Sequence, residues 1–162
     1  MTISVGAKLP EATLLKREDG NIAPVALGDK LKGRKVVVFG LPGAFTDTCS
    51  TIHLPSFMRT REKFAAKGID EIICVSVNDP WVMEAWDAAT GAGKAGVTLL
   101  ADADASFTKA IGMDFSAGVV GLLDRSVRYA IYAEDGVVKV LNTEEKPGAC
   151  ELSVGETLLG QI

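Results

Sequence analysis

Residues 36–53 read VVVFGLPGAFTDTCSTIH, and their reading decides the fold. Val36 to Leu41 is a continuous, β-branched apolar run, the pattern of a strand buried on both faces. Pro42 and Gly43 end it. From Thr48 to Lys67 the sequence reads as a helix, with Ile52, Met58, Phe64 and Ala65 among its apolar positions. Pro55 lies inside that helix and cannot donate to the carbonyl of Thr51, which predicts a kink. A strand that turns directly into a helix is the building unit of a parallel α/β sheet.

Working outward, Glu71–Val77 (EIICVSV) is a second buried strand. Asp79 caps a helix that has Pro80 at its first position and runs to about Thr90. Thr98–Ala101 is a short strand, and Asp104 is expected to cap a helix over Ala105–Ile111. Arg128–Ala133 and Val137–Leu141 flank EDG, a β-hairpin signal. Ser153 and Glu156 have the spacing of a capping box for a last helix. The order is strand, helix, strand, helix, strand, helix, hairpin, helix. It predicts one α/β domain over residues 1–162, with a mixed central sheet flanked by helices. A thioredoxin-like layout satisfies this order, and so does a flavodoxin-like one.

The chain has 162 residues, 48% hydrophobic and 23% charged, with a net charge of −4, so nothing in its overall field favours nucleic acid or an anionic membrane. Its one basic cluster, KLKGRK (30–35), reads as a solvated loop. No apolar stretch reaches the length of a membrane span, and the N-terminus lacks the pattern of a secretory signal, so a cytoplasmic location is expected. The glycine-rich TGAGKAGV (90–97) reads as a helix-to-strand loop, since no Gly-Lys-Ser/Thr opens a helix there. Three cysteines, Cys49, Cys74 and Cys150, form an odd and sparse set, which fits reduced thiols better than a disulfide scaffold.

Cys49 could be a core residue, a metal ligand or a nucleophile. The metal reading fails on spacing, because no C-x₂-C pair is present, and no metal is expected. Its place at a strand–turn–helix junction, near free N–H groups and the positive end of a helix dipole, favours a reactive thiolate over inert packing. Position 52 is Ile52, so there is no C-x-x-C dithiol. His53 lies one helical turn on, but no third residue is evident to orient it as a base, and packing is its simpler role. A peroxide asks for less: a charged thiolate, groups that align the two oxygens, and donors for the departing one. Thr46 and a guanidinium can supply these, and Pro42, which has no N–H, can shield the sulfur.

Pro42, Thr46 and Cys49 spell P-x-x-x-T-x-x-C. The segment VVVFGLPGAFTDTCSTIHLPSF (36–57) resembles the active-site segment of peroxiredoxins, in particular the type II, or peroxiredoxin-5-like, subfamily. CVSVNDPWVMEAW (74–86), TLLADADASFTKAIGMD (98–114) and RSVRYAIYAEDGVVKVLN (125–142) resemble it in the same order. The resemblance implies a thioredoxin fold with an N-terminal extension, no cofactor, and a thiol peroxidase acting on hydrogen peroxide and organic hydroperoxides. Cys49 is then the peroxidatic thiol, assisted by Thr46, Pro42 and an arginine that maps to Arg128, with Arg125 the competing assignment. It also implies a homodimer formed near the active-site loops, to which Phe45 and Trp81 are candidates. The reductant would be glutaredoxin, glutathione or thioredoxin.

A second thiol must reduce the sulfenic acid that Cys49 forms. Cys150, in the Pro-Gly loop EKPGACELS, is the first candidate, ahead of Cys74 inside a central strand. A peroxide-responsive sensor or chaperone-like protein would begin with the same sulfenic acid, whereas a non-catalytic thioredoxin-fold module would leave Cys49 with ordinary reactivity. Asp47 stands where the related enzymes usually carry proline, and is expected to cap the helix.

Overall fold

In the computed structural model, which describes residues 2–146 and 149–162, a seven-stranded sheet forms the middle layer. The chain begins with the strands β1 (Thr13–Glu18) and β2 (Asn21–Ala26), the short helix α1 (Leu27–Leu31) and the strand β3 (Lys35–Leu41). Helix α2 (Leu54–Ala66), strand β4 (Glu71–Ser76), helix α3 (Pro80–Thr90), strand β5 (Val97–Ala101) and helix α4 (Ser106–Ala110) follow. A two-stranded arm, β6 (Asp114–Ala117) and β7 (Leu122–Ser126), precedes the hairpin of β8 (Tyr129–Glu134) and β9 (Val137–Thr143), and α5 (Gly155–Leu159) closes the fold.

The sheet order is β2-β1-β5-β4-β3-β8-β9. β3, β4 and β5 run parallel, while β1 and β8 join them antiparallel. The thioredoxin-like mixed sheet is thus the architecture. Alternation along β3 sorts the core. Val37, Phe39 and Leu41 face Phe57 and Phe64 of α2, Trp86 of α3 and Leu158 of α5. Val36 and Val38 face Leu27 and Leu31 of α1 and Phe107 of α4. A strand apolar on both faces is thereby buried on both, as its unbroken hydrophobic run required.

Several local expectations are corrected. The kink at Pro55 is resolved upstream as a π-helical turn over Cys49–His53, in which the N–H of Leu54 bonds the carbonyl of Cys49. Pro55 follows directly on that turn as the second residue of α2, inside a helical backbone that runs on from the turn. Asp104 does not cap α4 but accepts from the N–H of Ser106 (3.0 Å). The buried Asp102 does that work, accepting from the N–H groups of Phe107 (3.2 Å) and Thr108 (2.8 Å) and from the Thr108 hydroxyl (2.7 Å). Ser153 and Glu156 form no capping box. Val154 is the N-cap of α5, and Glu156 pairs with Arg59 at 2.6 Å. Asp79 does cap α3, accepting from the N–H of Val82.

The N-terminal hairpin was not anticipated, nor was the β6–β7 arm. Of the basic cluster, Lys30 belongs to α1, and it and Arg34 both pair with Glu71 at 3.1 and 2.9 Å rather than lying in a free loop. Pro147 and Gly148 of the expected Pro-Gly loop lie outside the described residues. Among the described residues no helix is long and apolar enough to cross a membrane.

Candidate active site

The interior strand β3 ends at Leu41, and from its C-terminal end the loop of residues 42–48 leads into the π-helical turn. Cys49 opens that turn and is wholly buried. A π-helical turn widens the helix by one residue, and such turns recur at functional sites because they shift a side chain out of the regular register. The turn is fixed on its outer side by Trp86 of α3, whose Nε1–H donates to the hydroxyl of Ser50 at 3.0 Å.

Arg128 reaches Cys49 from the other direction. It lies one residue before β8, which pairs antiparallel with β3 so that Tyr129 stands opposite Gly40. The Tyr129 ring fits against β3 only because position 40 has no Cβ; one there would lie 2.2 Å from a ring carbon. Arg128 is itself buried, and its Nη1 donates to the Cys49 sulfur at 2.9 Å. Of the two arginines the sequence offered, Arg128 is the one that meets the thiol.

The preceding loop is held at three points. The Thr46 hydroxyl donates to the carbonyl of Gly43 at 2.7 Å. The N–H of Ala44 donates to Oδ1 of Asn78 at 2.9 Å, and Ser76 donates to the same oxygen at 2.6 Å. Arg125 of β7 donates to the carbonyl of Pro42 at 3.2 Å. Pro42 is buried, whereas Asp47 is exposed and already inside the first helical turn, so it is not the cap expected of it. Phe45 and Trp81, candidates for an interface or the core, are 55% and 58% exposed, which removes them from the core. Phe45 adopts φ 64°, the left-handed region that a bulky side chain rarely occupies.

The other two thiols differ in setting. Cys74 faces the core from β4, opposite Phe39, and burial pushes its thiol well above the usual range, with the nearby Cys49 adding to the effect. Cys150 is half-buried, and burial pushes it up to about 11, opposed by its hydrogen bond with Ser153 and the charge of Arg128 and reinforced by Glu144 and Cys49. Its segment is clasped by Glu144, which accepts from the N–H groups of Glu151, Leu152 and Ser153 and from the Ser153 hydroxyl. Burial alone would raise the Glu144 carboxyl. The hydrogen bonds from this segment outweigh it and hold the group below the usual carboxylate range. Sequence reading missed Asn78, Glu144 and the loop contact of Arg125. Only the two arginines of RSVR hinted at any of them.

Comparison with known proteins bears directly on this arrangement. The sequence profile of the redoxin family matches residues 4–159. Peroxiredoxin-2E-2 of Oryza sativa, described as chloroplastic, is 50% identical over 98% of this chain and 72% of its own length. The chain belongs to the type II peroxiredoxins.

Solved structures agree. The reduced Prx3 of Vibrio vulnificus in complex with hydrogen peroxide superposes with a TM-score of 0.91 at 42% identity, covering 99% of each chain. Peroxiredoxin 5 of Alvinella pompejana gives 0.82 at 29% identity, covering 97% and 96%. The protein is therefore a thiol peroxidase, an oxidoreductase that acts on peroxide.

His53 of this peroxiredoxin is not a catalytic partner of the cysteine. Its ring packs against Phe39 and Phe57, and its Nε2 lies 3.1 Å from the carbonyl of Ser153. A carbonyl only accepts, so Nε2 carries the proton, and the buried Nδ1 has no partner among the described residues. Burial, reinforced by the charge of Arg128, lowers the imidazole to about 3. Between an unfolded value of about 6.5 and this folded value, the unfolded chain binds the extra proton, so stability rises with pH and is lost on acidification. From pH 7 to pH 5 this one group accounts for a loss of about 2 kcal/mol. Denaturant unfolding at the two pH values will find that loss in the parent and most of it gone in His53→Gln; an equal loss in both contradicts the assignment.

Proposed function

We propose that Cys49 is the thiol that attacks the peroxide, and that Arg128, Thr46 and Pro42 prepare it. The Cys49 thiolate takes one oxygen: an S–O bond forms as the O–O bond breaks, sulfur gives up two electrons, and the departing oxygen takes a proton to leave as water or an alcohol. The hydrogen bond from Arg128 to the sulfur carries this reading. A buried guanidinium stabilises the thiolate before attack and the leaving oxygen during it. The Thr46 hydroxyl has already given its proton to Gly43, so its lone pairs are left to accept from the peroxide O–H and hold the oxygens in line. Pro42, buried and without an N–H, keeps water from the sulfur.

Cys150 of the same chain is our choice to resolve the sulfenic acid, forming a disulfide and releasing water, after which glutaredoxin, glutathione or thioredoxin reduces the pair. Its support is electrostatic proximity to Cys49 and partial exposure. Cys74, on which Cys49 also acts, is fully buried in β4 and lacks that exposure. Because Cys49 is buried and Cys150 is clasped by Glu144, the disulfide requires both segments to rearrange. We further propose a homodimer through the face that carries Phe45 and Trp81, whose exposed aromatic surface beside the site is costly to leave in water. The cytoplasmic location expected from sequence gains nothing from relatives described as chloroplastic and mitochondrial, and is not carried further.

Peroxide turnover with each reductant tests the scheme. Cys49→Ser abolishes it, and Cys150→Ser loses the non-reducing gel shift that one equivalent of peroxide produces in the parent. A shift that survives in Cys150→Ser and vanishes in Cys74→Ser assigns resolution to Cys74 instead. Sedimentation velocity will give a dimer for the parent and a monomer for Phe45→Asp/Trp81→Glu; a monomeric parent overturns the proposed interface.

A further inference from the structure

Arg125 is the polar residue at this site that the chemistry above leaves unused. It stands on β7, in register with Phe115 of β6, and its side chain leaves the arm to reach the active-site loop. Two observations show that the loop is shaped around it. Its Nη1 donates to the Pro42 carbonyl at 3.2 Å. Position 43 is glycine, and a Cβ built there would lie 2.5 Å from the same Nη1, closer than non-bonded heavy atoms approach, and 3.4 Å from Cγ2 of Thr46. The missing side chain at 43 is the space that the guanidinium fills. Gly43 is not in the left-handed region, so its backbone conformation does not explain the glycine. The close approach does.

The consequence runs through two successive peptides, Pro42–Gly43, whose carbonyl Arg125 holds, and Gly43–Ala44, whose N–H donates to Asn78. Arg125 fixes the carbonyl of Pro42, the next carbonyl is that of Gly43, and the Gly43 oxygen takes both the hydroxyl proton of Thr46 (2.7 Å) and its N–H (3.4 Å). The orientation of that carbonyl decides where the lone pairs of Thr46 point. A charge-assisted hydrogen bond to a loop carbonyl resists the small rotations that would turn them away from an incoming oxygen. We infer that Arg125 is a positioning residue for peroxide reduction, acting through the Pro42–Gly43 and Gly43–Ala44 peptides on the hydroxyl of Thr46. The inference rests on the reading of Thr46 and Cys49 given above.

It predicts a selective defect. In Arg125→Ala the second-order rate of Cys49 oxidation by hydrogen peroxide, followed by stopped-flow tryptophan fluorescence, falls about tenfold, as for one lost charge-assisted hydrogen bond. Alkylation of Cys49 by iodoacetamide, which needs no alignment by Thr46, stays within about twofold of the parent. Arg125→Lys, which keeps one charged donor, restores most of the peroxide rate. Gly43→Ala, whose methyl expels the guanidinium, matches the defect of Arg125→Ala, and the double variant is no slower than either, because the methyl then occupies vacated space. A double variant slowed about a hundredfold, a parent-like rate in Arg125→Ala, or an equal fall in alkylation overturns the inference. Thr46→Val separates the two levels. If it is slow while Arg125→Ala is not, only the inference fails; if Thr46→Val keeps the parent rate, the reading of the site fails with it.

Discussion

The site is organised around one buried contact, the Arg128 guanidinium donating to the Cys49 sulfur. Burying an arginine costs several kcal/mol unless its donors find partners. Here the register of β8 against β3 puts Arg128 beside the mouth of the turn that holds Cys49, and the sulfur accepts its hydrogen bond. Gly40 belongs to the same arrangement, since the Tyr129 ring could not lie against β3 over any larger residue. The sheet, the strand register and the π-helical turn therefore share one result: the guanidinium and the Cys49 sulfur meet 2.9 Å apart.

Around that contact the chain adds restraints on both sides. Asn78, Ser76 and Arg125 hold the loop before Cys49, and Trp86 holds the turn after it. The C-terminal segment is tied to the same neighbourhood by two links. Glu144 gathers the backbone of residues 151–153, and the Ser153 carbonyl meets the buried imidazole of His53. His53 ends the π-helical turn that Cys49 begins, so any unwinding of that turn disturbs the partner of Ser153. The segment that carries the half-buried Cys150 is thus tied to the Cys49 turn through a neutral histidine rather than an ion pair. Burial in this segment pushes the Cys150 thiol up to about 11.

Much of this was legible in the sequence, for physical reasons that differ from residue to residue. The buried strand at 36–41 and the cap at Asp79 are local patterns, read from neighbours in the chain. Pro42, Thr46 and Cys49 are close in sequence, so one short segment carries the resemblance to the peroxiredoxin active site. Arg128 was found through the family resemblance, and the strand register accounts for its position. The first hairpin was missed although its signal was present. Asp19–Gly20 adopts φ 51° and 80°, nearly the values of Asp135–Gly136 in the hairpin that was anticipated. The difference lay in the flanks: TLLKRE and NIAPVA carry charges and a proline on an edge of the sheet, and so lack strong alternation. Caps at Asp104 and Ser153 were misassigned because each competes with a better partner that only tertiary structure supplies, Asp102 in one case and Glu144 in the other. Contacts such as Asn78 with Ala44, or Glu144 with the segment after Cys150, join residues whose roles are set by topology, and no local pattern announces them.

In the proposed reaction the Arg128–Cys49 contact is what makes the thiol reactive toward peroxide. Its most direct measurement is the second-order rate of Cys49 oxidation by hydrogen peroxide in Arg128→Met and Arg128→Lys, mixed in stopped flow with the parent protein as reference. The rate is expected to fall by about 10²–10³ in the methionine variant, the range for removing a donor aimed at developing charge, and to recover only partly with lysine, which lacks the planar fork. A methionine variant that reacts with peroxide at the parent rate would contradict that role.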